Sequence, residues 1–352
     1  MDQPTRRPRI ADVAREAGVS KTAVSFAFNS PDRLSPETAS RIRDVADSLG
    51  YRPNPVARML TAGRTMAIGV LTPQMMSVVF SNPFFAAFSQ GVAAAAEASG
   101  YGVHFVSPVQ GSLARAVGRA TVDGVVAVGL SVDHPEVEQI RQAGLPIVLV
   151  DSTALPELPS VEVDDEGGAR LAAEHLLALG HREFLVIGVE PPLPTAAIDP
   201  EGITSRRLRG YRSALTAAGI ELTDEAVVVG PAHLEGGIAA FAGAWEDGLR
   251  PTAVLCMSDA MAIGAMRAAR ERRLAVPADI SIVGFDDVDI AQYTDPPLTT
   301  VHQPISRKGE EAVHLLLNVI DGREPARSEH RRLETRLVIR GSTGPVPHGG
   351  RR

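Results

Sequence analysis

The sequence predicts an all-α helix-turn-helix head followed by an α/β core of two doubly wound lobes. Three observations lead there. Helical spacing between residues 10 and 49 breaks at Gly18-Val19-Ser20. From Met66 onward, short apolar runs alternate with amphipathic stretches. At 352 residues the chain exceeds one ordinary domain, so two or three cores are expected.

In order along the chain, Ile10 to Ala17 and Lys21 to Phe28 read as two short helices, with Ala23, Val24 and Ala27 available for packing. Gly18 suits the turn between them, because a residue without Cβ enters left-handed φ/ψ at little cost. Ser20 can accept from the orphan N–H groups of the second helix. A third, supporting helix takes Ser35 as N-cap and Pro36 as its first residue, buries Ile42, Val45, Ala46 and Leu49, and stops at Gly50. Tyr51 to Arg64 holds Pro53, Asn54, Pro55 and Gly63 and too few apolar residues to fold alone, so it reads as a linker with a conditional helix inside. The candidate strands of the core are Ala67 to Leu71, Val103 to Ser107, Gly124 to Val128, Pro146 to Val150, Phe184 to Ile187, Val227 to Val229, Ala253 to Met257 and Ile280 to Gly284. Phe84 to Ser99, Pro135 to Ala143, Gly168 to Leu179, Ser205 to Ala218, Ile238 to Asp247 and Ala260 to Arg273 read as helices. Apolar strands alternating strictly with helices indicate parallel sheets covered on both faces.

Composition narrows the function classes. No apolar run is long enough to cross a bilayer; even Ala86 to Ala98 is broken by Ser89, Gln90 and Glu97. Arg6, Arg7 and Arg9 are followed by no apolar segment, so a secretory signal is not expected and the cytoplasm is. Cys256, the single cysteine, precludes an intrachain disulfide and reads as an inert core residue. The net charge of −7 hides an asymmetry: residues 1–65 hold 11 Lys/Arg against 7 Asp/Glu, a balance of +4, and the remainder is at −11. Attraction for phosphate therefore belongs to the head.

Ile10-Ala11-Asp12-Val13-Ala14, Gly18-Val19-Ser20, Val24-Ser25, Asn29, Leu49-Gly50-Tyr51, Pro53-Asn54, Val56-Ala57-Arg58 and Leu60 form a set that resembles the lactose-repressor/galactose-repressor family of bacterial transcription regulators. The likeness continues through His175 to Arg182, Arg207 to Tyr211, Ser258 to Ala265, Val283 to Asp287 and Pro297 to Val301. It implies a DNA-binding head at 1–52, a hinge helix and linker at 53–65, an effector-binding and dimerisation core at 66–345 similar to periplasmic sugar-binding proteins, and a tail at 346–352. The implied lobes are about 66–163 with 296–323, and about 164–295 with 324–345. Their crossings would fall near Val163 to Glu166, near Asp295, and near Gly322 to Pro325. Two departures concern the core: Pro108 to Val122 is short, which implies an abbreviated second helix of the first lobe, and Glu190 to Thr204 is a long Pro-rich loop before Arg207.

The resemblance implies Lys21, Thr22 and Phe26 as base readers, with Ser20, Ser25 and Asn29 on the DNA backbone. Lys21 can donate to guanine, Thr22 can bond either way or touch a thymine methyl, and Phe26 can make only apolar contact. Family members usually place a polar side chain at the position of Phe26; the competing reading makes it a core aromatic, as Phe28 is expected to be. In the hinge, Asn54, Ala57, Arg58 and Leu60 would enter the minor groove, with Leu60 as the apolar wedge. So short a helix does not survive alone in water, so it would form only with DNA and a partner subunit. A twofold homodimer reading a palindromic operator follows. The Gly- and Pro-rich tail Ser342 to Arg352 lacks heptads, which argues against a coiled-coil tetramer.

Open α/β sheets bind ligands beyond the carboxyl ends of their strands. Asp151, Asp259 and Asp286 each follow a candidate strand, and the resemblance marks Arg207 and Asp286 as effector contacts. Carboxylates accept from paired hydroxyls and an arginine fork donates to ring oxygens, which suits a sugar effector; a purine co-repressor is the alternative. Asp259 can equally cap its helix, and Asp287 can serve a turn. The family's usual aromatic is missing from Pro231-Ala232-His233-Leu234-Glu235, where His233 either stacks in its place or is an exposed loop residue. Neither an enzyme nor a pure solute-binding protein fits as well. Asp164-Asp165-Glu166, Asp286-Asp287, His175 and His181 complete no metal set, no nucleophile elbow or phosphate loop is present, no cofactor is implied, and a solute-binding protein would lack the head.

Overall fold

Apolar spacing and capping build the head. The computed structural model describes residues 8–53, 63–74, 76–108, 112–130, 135–142, 144–152, 157–190, 202–323 and 329–346. It falls into two units, Met1–Thr65 and Met66–Arg352. In the first, α1 (Ile10–Glu16) and α2 (Lys21–Asn29) flank Gly18 at φ +65°, and α3 (Pro36–Ser48) follows a 3-10 turn at Pro31–Arg33. Val13, Ala14, Val24, Ala27, Ile42, Ala46 and Tyr51 form the buried core, with Phe28 packed on it 6.0 Å from the Tyr51 ring. Leu49, expected inside, is 37% exposed, because the helix ends at Ser48 and the chain reverses through Gly50 at φ +67°.

The second unit contains β1 (Ala67–Leu71), α4 (Met76–Ser81), α5 (Pro83–Ala98), β2 (Gly102–Val106), α6 (Leu113–Arg119), β3 (Gly124–Val128), α7 (Pro135–Gln142), β4 (Ile147–Val150) and β5 (Ser160–Val163). It continues with α8 (Asp165–Ala178), β6 (Phe184–Val189), α9 (Ile203–Ala217), β7 (Val227–Gly230), α10 (Leu234–Glu246), β8 (Ala253–Cys256), α11 (Asp259–Glu271), β9 (Ser281–Asp286), β10 (Thr299–His302), α12 (Ile305–Ile320), β11 (His330–Leu333) and β12 (Arg336–Val338). One sheet runs β11-β5-β4-β3-β1-β2 and the other β12-β10-β9-β8-β6-β7. All pairings are parallel except β10 with β12. Each sheet is covered on both faces, as apolar β3, β4, β8 and β9 require. In the first lobe Phe88, Val92 and Leu316 lie on one face and Leu113 and Val117 on the other; in the second, Phe241 and Ala262 oppose Ala172 and Tyr211.

The first crossing between sheets is at Asp164, between β5 and α8. The other two fall later than expected. β10 pairs with β9 from Thr299 to His302, which keeps the chain in the second sheet past Asp295, so it crosses at 303–304. β11 then pairs with β5, and the last crossing is at 334–335 instead of near Gly322 to Pro325. The C-terminal part of the first lobe is accordingly α12 with β11.

Helix α12 lies against α5 with almost no side chain between them. A Cβ built on Gly91 would sit 1.8 Å from the Ser306 carbonyl oxygen, and one on Gly309 2.5 Å from that of Phe88. Backbone cannot yield as a side-chain tip can. Gly91→Ala should therefore lower stability by at least the about 1–3 kcal/mol typical of overpacking, read as a shifted urea midpoint at unchanged m.

Candidate DNA interface and interlobe site

Lys21 and Thr22 open α2 and are exposed, and Phe26 follows just over one turn later, half-buried. Phe26 is not part of the head core, which takes Phe28 instead. The Arg33 guanidinium from the 3-10 turn lies 5.2 Å from the Phe26 ring centroid, so the ring carries a cation on one face. Ser20 Oγ accepts from the Ala23 N–H at 3.1 Å and so caps the helix, and Asn29 Nδ2 donates to Ser25 Oγ at 3.2 Å. Asn54, Ala57, Arg58 and Leu60 lie outside the described residues.

In the core, the second lobe brings Arg207 and Asp286 together at the carboxyl end of its sheet. Arg207, buried on α9, donates from Nε to Asp165 Oδ1 at 2.8 Å and from Nη1 to the Met257 carbonyl, and its guanidinium lies 3.6 Å over the Phe285 ring. Its Nη2 makes no hydrogen bond among the described residues. Arg206 holds the other oxygen of Asp165, Oδ2, from Nη2 at 2.8 Å and Nε at 3.1 Å. Burial alone would push the Asp165 carboxyl up, but Arg207 and Arg206 overcome it and hold the group below the usual carboxylate range. Asp286 ends β9 at φ +133°, a backbone conformation that L residues rarely adopt. Burial pushes its carboxyl up to about 6 against the opposing pull of Arg207.

Asp259, fully buried at the start of α11, does not cap that helix, which Ser258 does by accepting from Met261 N–H at 3.2 Å. Its oxygens instead accept from the Val288 N–H at 2.9 Å and from the Thr300 hydroxyl. Burial, and the charge of Asp286 beside it, raise its carboxyl to about 8. Gly284 makes room for it, since a Cβ there would lie 2.2 Å from Asp259 Oδ1. Asp287, at φ +61°, pairs with Arg340 and His302 within the second lobe.

On the first lobe, Asp151 follows β4 at φ +52°. Both its oxygens accept from Lys308 Nζ of α12, each at 2.7 Å. Lys308 also donates to Gln303 Oε1 at 2.6 Å, and Gln303 Nε2 donates to Asp286 Oδ1 at 2.6 Å. The arrangement offers a ligand donors from Arg207 and an acceptor from Asp286, while Asp151 and Asp259 are already engaged.

The comparisons agree with this division of head and core. The family model for bacterial regulatory proteins of the lacI family matches residues 9–54, and that for a periplasmic binding protein-like domain matches 173–343. The regulator CelR of Thermobifida fusca is 33% identical over 346 residues, covering 96% of this chain and 98% of CelR. The chain belongs to the LacI family. It is a DNA-binding transcription regulator, and its relatives are regulators, not enzymes. A solved lac repressor dimer bound to operator and an anti-inducer aligns with a TM-score of 0.81 and 27% identity, covering 96% of this chain and all of that one. A solved CelR–cellobiose complex aligns at 0.71 and 30%, with the same coverage.

Among this LacI-family chain's site residues, Asp165, Arg206, Gln303 and Lys308 escaped the sequence reading. Lys308 left a signal: it falls on the apolar face of α12 with Ile305, Ala312, Val313 and Leu316, where an unpaired lysine would not stay. Asp165 left less, sitting in an acidic run that reads as an ordinary turn. His233 is more than a plain loop residue, since its Nδ1 accepts from the Gly236 N–H at 3.0 Å and caps α10. Cys256 is buried, and burial pushes its thiol up, as an inert core residue requires. No helix among the described residues is long and apolar enough to cross a membrane.

Proposed function

We propose that the protein is a cytoplasmic repressor that binds a palindromic operator as a homodimer and is controlled by an uncharged sugar or sugar derivative in the interlobe cleft. Charge balance carries the ligand class. Arg206 and Arg207 meet Asp165 and Asp286, Lys308 meets Asp151, and Asp259 keeps its proton at neutral pH. Among these described groups no full charge is left over to recognise an anion or cation, whereas Arg207 Nη2 and Asp286 remain for hydroxyls and ring oxygens. Cellobiose in the CelR complex and the operator-bound dimer of the lac repressor support the reading. A twofold partner also accounts for the exposed apolar side chains Ile290, Tyr293 and Ile339 of the second lobe.

On DNA, Lys21 and Thr22 read base edges and Phe26 selects a thymine methyl. Ser20, Ser25 and Asn29 position the head on phosphates, and Asn54, Ala57, Arg58 and Leu60 enter the minor groove. Selection of random duplexes by the purified protein at fixed salt tests this, and a palindrome weakened by Leu60→Ala is the expected result. Phe26→Ala should relax one base pair per half-site by about 1–3 kcal/mol and leave the others unchanged. Operator affinity is then measured with a panel of mono- and disaccharides, cellobiose included, and with purines. Arg207→Lys should keep operator binding but weaken the active sugar at least about tenfold, because lysine lacks the planar fork. A response to purines alone, or to no sugar, overturns the ligand reading.

A further inference from the structure

Lys308 is fully buried, yet each of its three ammonium protons has an acceptor: the two oxygens of Asp151 and Oε1 of Gln303. The Phe84 ring lies 5.3 Å from Nζ and closes the remaining side. The contact with Gln303 has a directional consequence. An ammonium only donates, so it takes the oxygen end of the carboxamide and leaves the nitrogen end for Asp286. Without Lys308 the amide is free to turn, and its oxygen would then face a carboxylate. The hydrogen-bonded chain thus runs from the end of β4 and from α12 in the first lobe, through the second crossing, to the end of β9 in the second lobe.

We propose that Lys308 is a positioning residue of the effector site: by saturating Asp151 and orienting Gln303, it holds Asp286 ready for ligand and ties the two lobes together at the crossing. The role assigned to Asp286 rests on the effector reading above. Asp151 is then an anchor and not an acceptor for ligand hydroxyls, and a ligand bound at Asp286 is sensed in the first lobe through one amide. The close approach of α5 and α12 at Gly91 and Gly309 gives Lys308 a rigid base.

The test uses the full chain without ligand. After Cys256→Ala, nitroxides are placed at exposed Ala98→Cys in the first lobe and Thr216→Cys in the second, diluted with unlabelled chain so that each pair reports one protomer. Lys308→Met with Asp151→Asn removes the charges as a pair and avoids stranding either. The expected result is a longer, broader interlobe distance, the same change in Gln303→Leu, and no further change when all three are combined. An unchanged interlobe distance with a lowered melting temperature would mean that the pair acts only inside the first lobe, which overturns the proposal. Should the paired variant not fold, Gln303→Glu decides. It keeps the Lys308 contact but sets two carboxyls against each other, and an unwidened distance there also overturns the proposal. No sugar enters the measurement, so a failed sugar panel and a failed latch are separate outcomes.

Discussion

Asp165→Ala should destabilise the core by about 3–5 kcal/mol, the range for removing one partner of a buried ion pair. Asp165 is fully buried and serves two arginines, of which Arg207 is itself 5% exposed. Deleting the carboxylate removes the hydrogen-bonded counter-charge that the two guanidiniums share, in a site closed by Phe285 and the Met257 carbonyl. The pH dependence gives an independent check. Asp165 titrates below the usual carboxyl range, so its contribution is present above its unfolded pKa and is lost as pH falls through the lowered value. The gap between the wild-type and variant urea curves should thus be full near neutrality and shrink below about pH 4. A loss under about 1 kcal/mol, typical of exposed pairs, would show that the arginines find other partners.

Asp259 acts in the opposite direction. Its carboxyl is raised from 3.8 to about 8, so the folded protein holds a proton that the unfolded chain releases. Stability from this group is full below the unfolded pKa, falls as pH rises, and is lost once pH passes about 8. Each pKa unit is worth about 1.4 kcal/mol, so the effect reaches several kcal/mol at the alkaline end. Asp259→Asn, like the protonated form, carries no charge, and its amide oxygen can keep accepting from the Val288 N–H. The variant should match the wild type below about pH 4, exceed it increasingly as pH rises, and keep a constant lead above about pH 8. Parallel pH curves would place the proton elsewhere. Asp286, raised to about 6 by its own burial, should titrate unchanged in the variant, because Asp259 is still neutral at that pH.

Much of the fold was legible because it is written locally. Gly18 and Ser20 mark the turn of the head and do in the structure what their chemistry suggests. The apolar runs at β1, β3, β4 and β8 lie within a residue of the expected strands. Strands that depend on their neighbours were not legible: β11, His330–Leu333, is a charged edge strand, and β12 has three residues. Helix α12 also went unread, although Ile305, Ala312, Val313 and Leu316 carry the right spacing. Two of the three crossings, which the resemblance alone placed, fall later because β10 pairs with β9 and β11 with β5 beyond those points.

The sequence by itself determined a helix-turn-helix head, an alternating α/β core, and Arg207 and Asp286 as residues of one candidate site, because turn chemistry, hydrophobic period and family motifs are properties of short segments. Only the tertiary structure decided what those residues meet. Asp151 and Lys308 are 157 positions apart, Asp165 and Arg207 are 42 apart, and Asp259 and Thr300 are 41 apart. Whether such a carboxylate is free for a ligand, saturated by a lysine or kept protonated depends on which distant strand ends the folded sheets bring beside it, and on how far they exclude water.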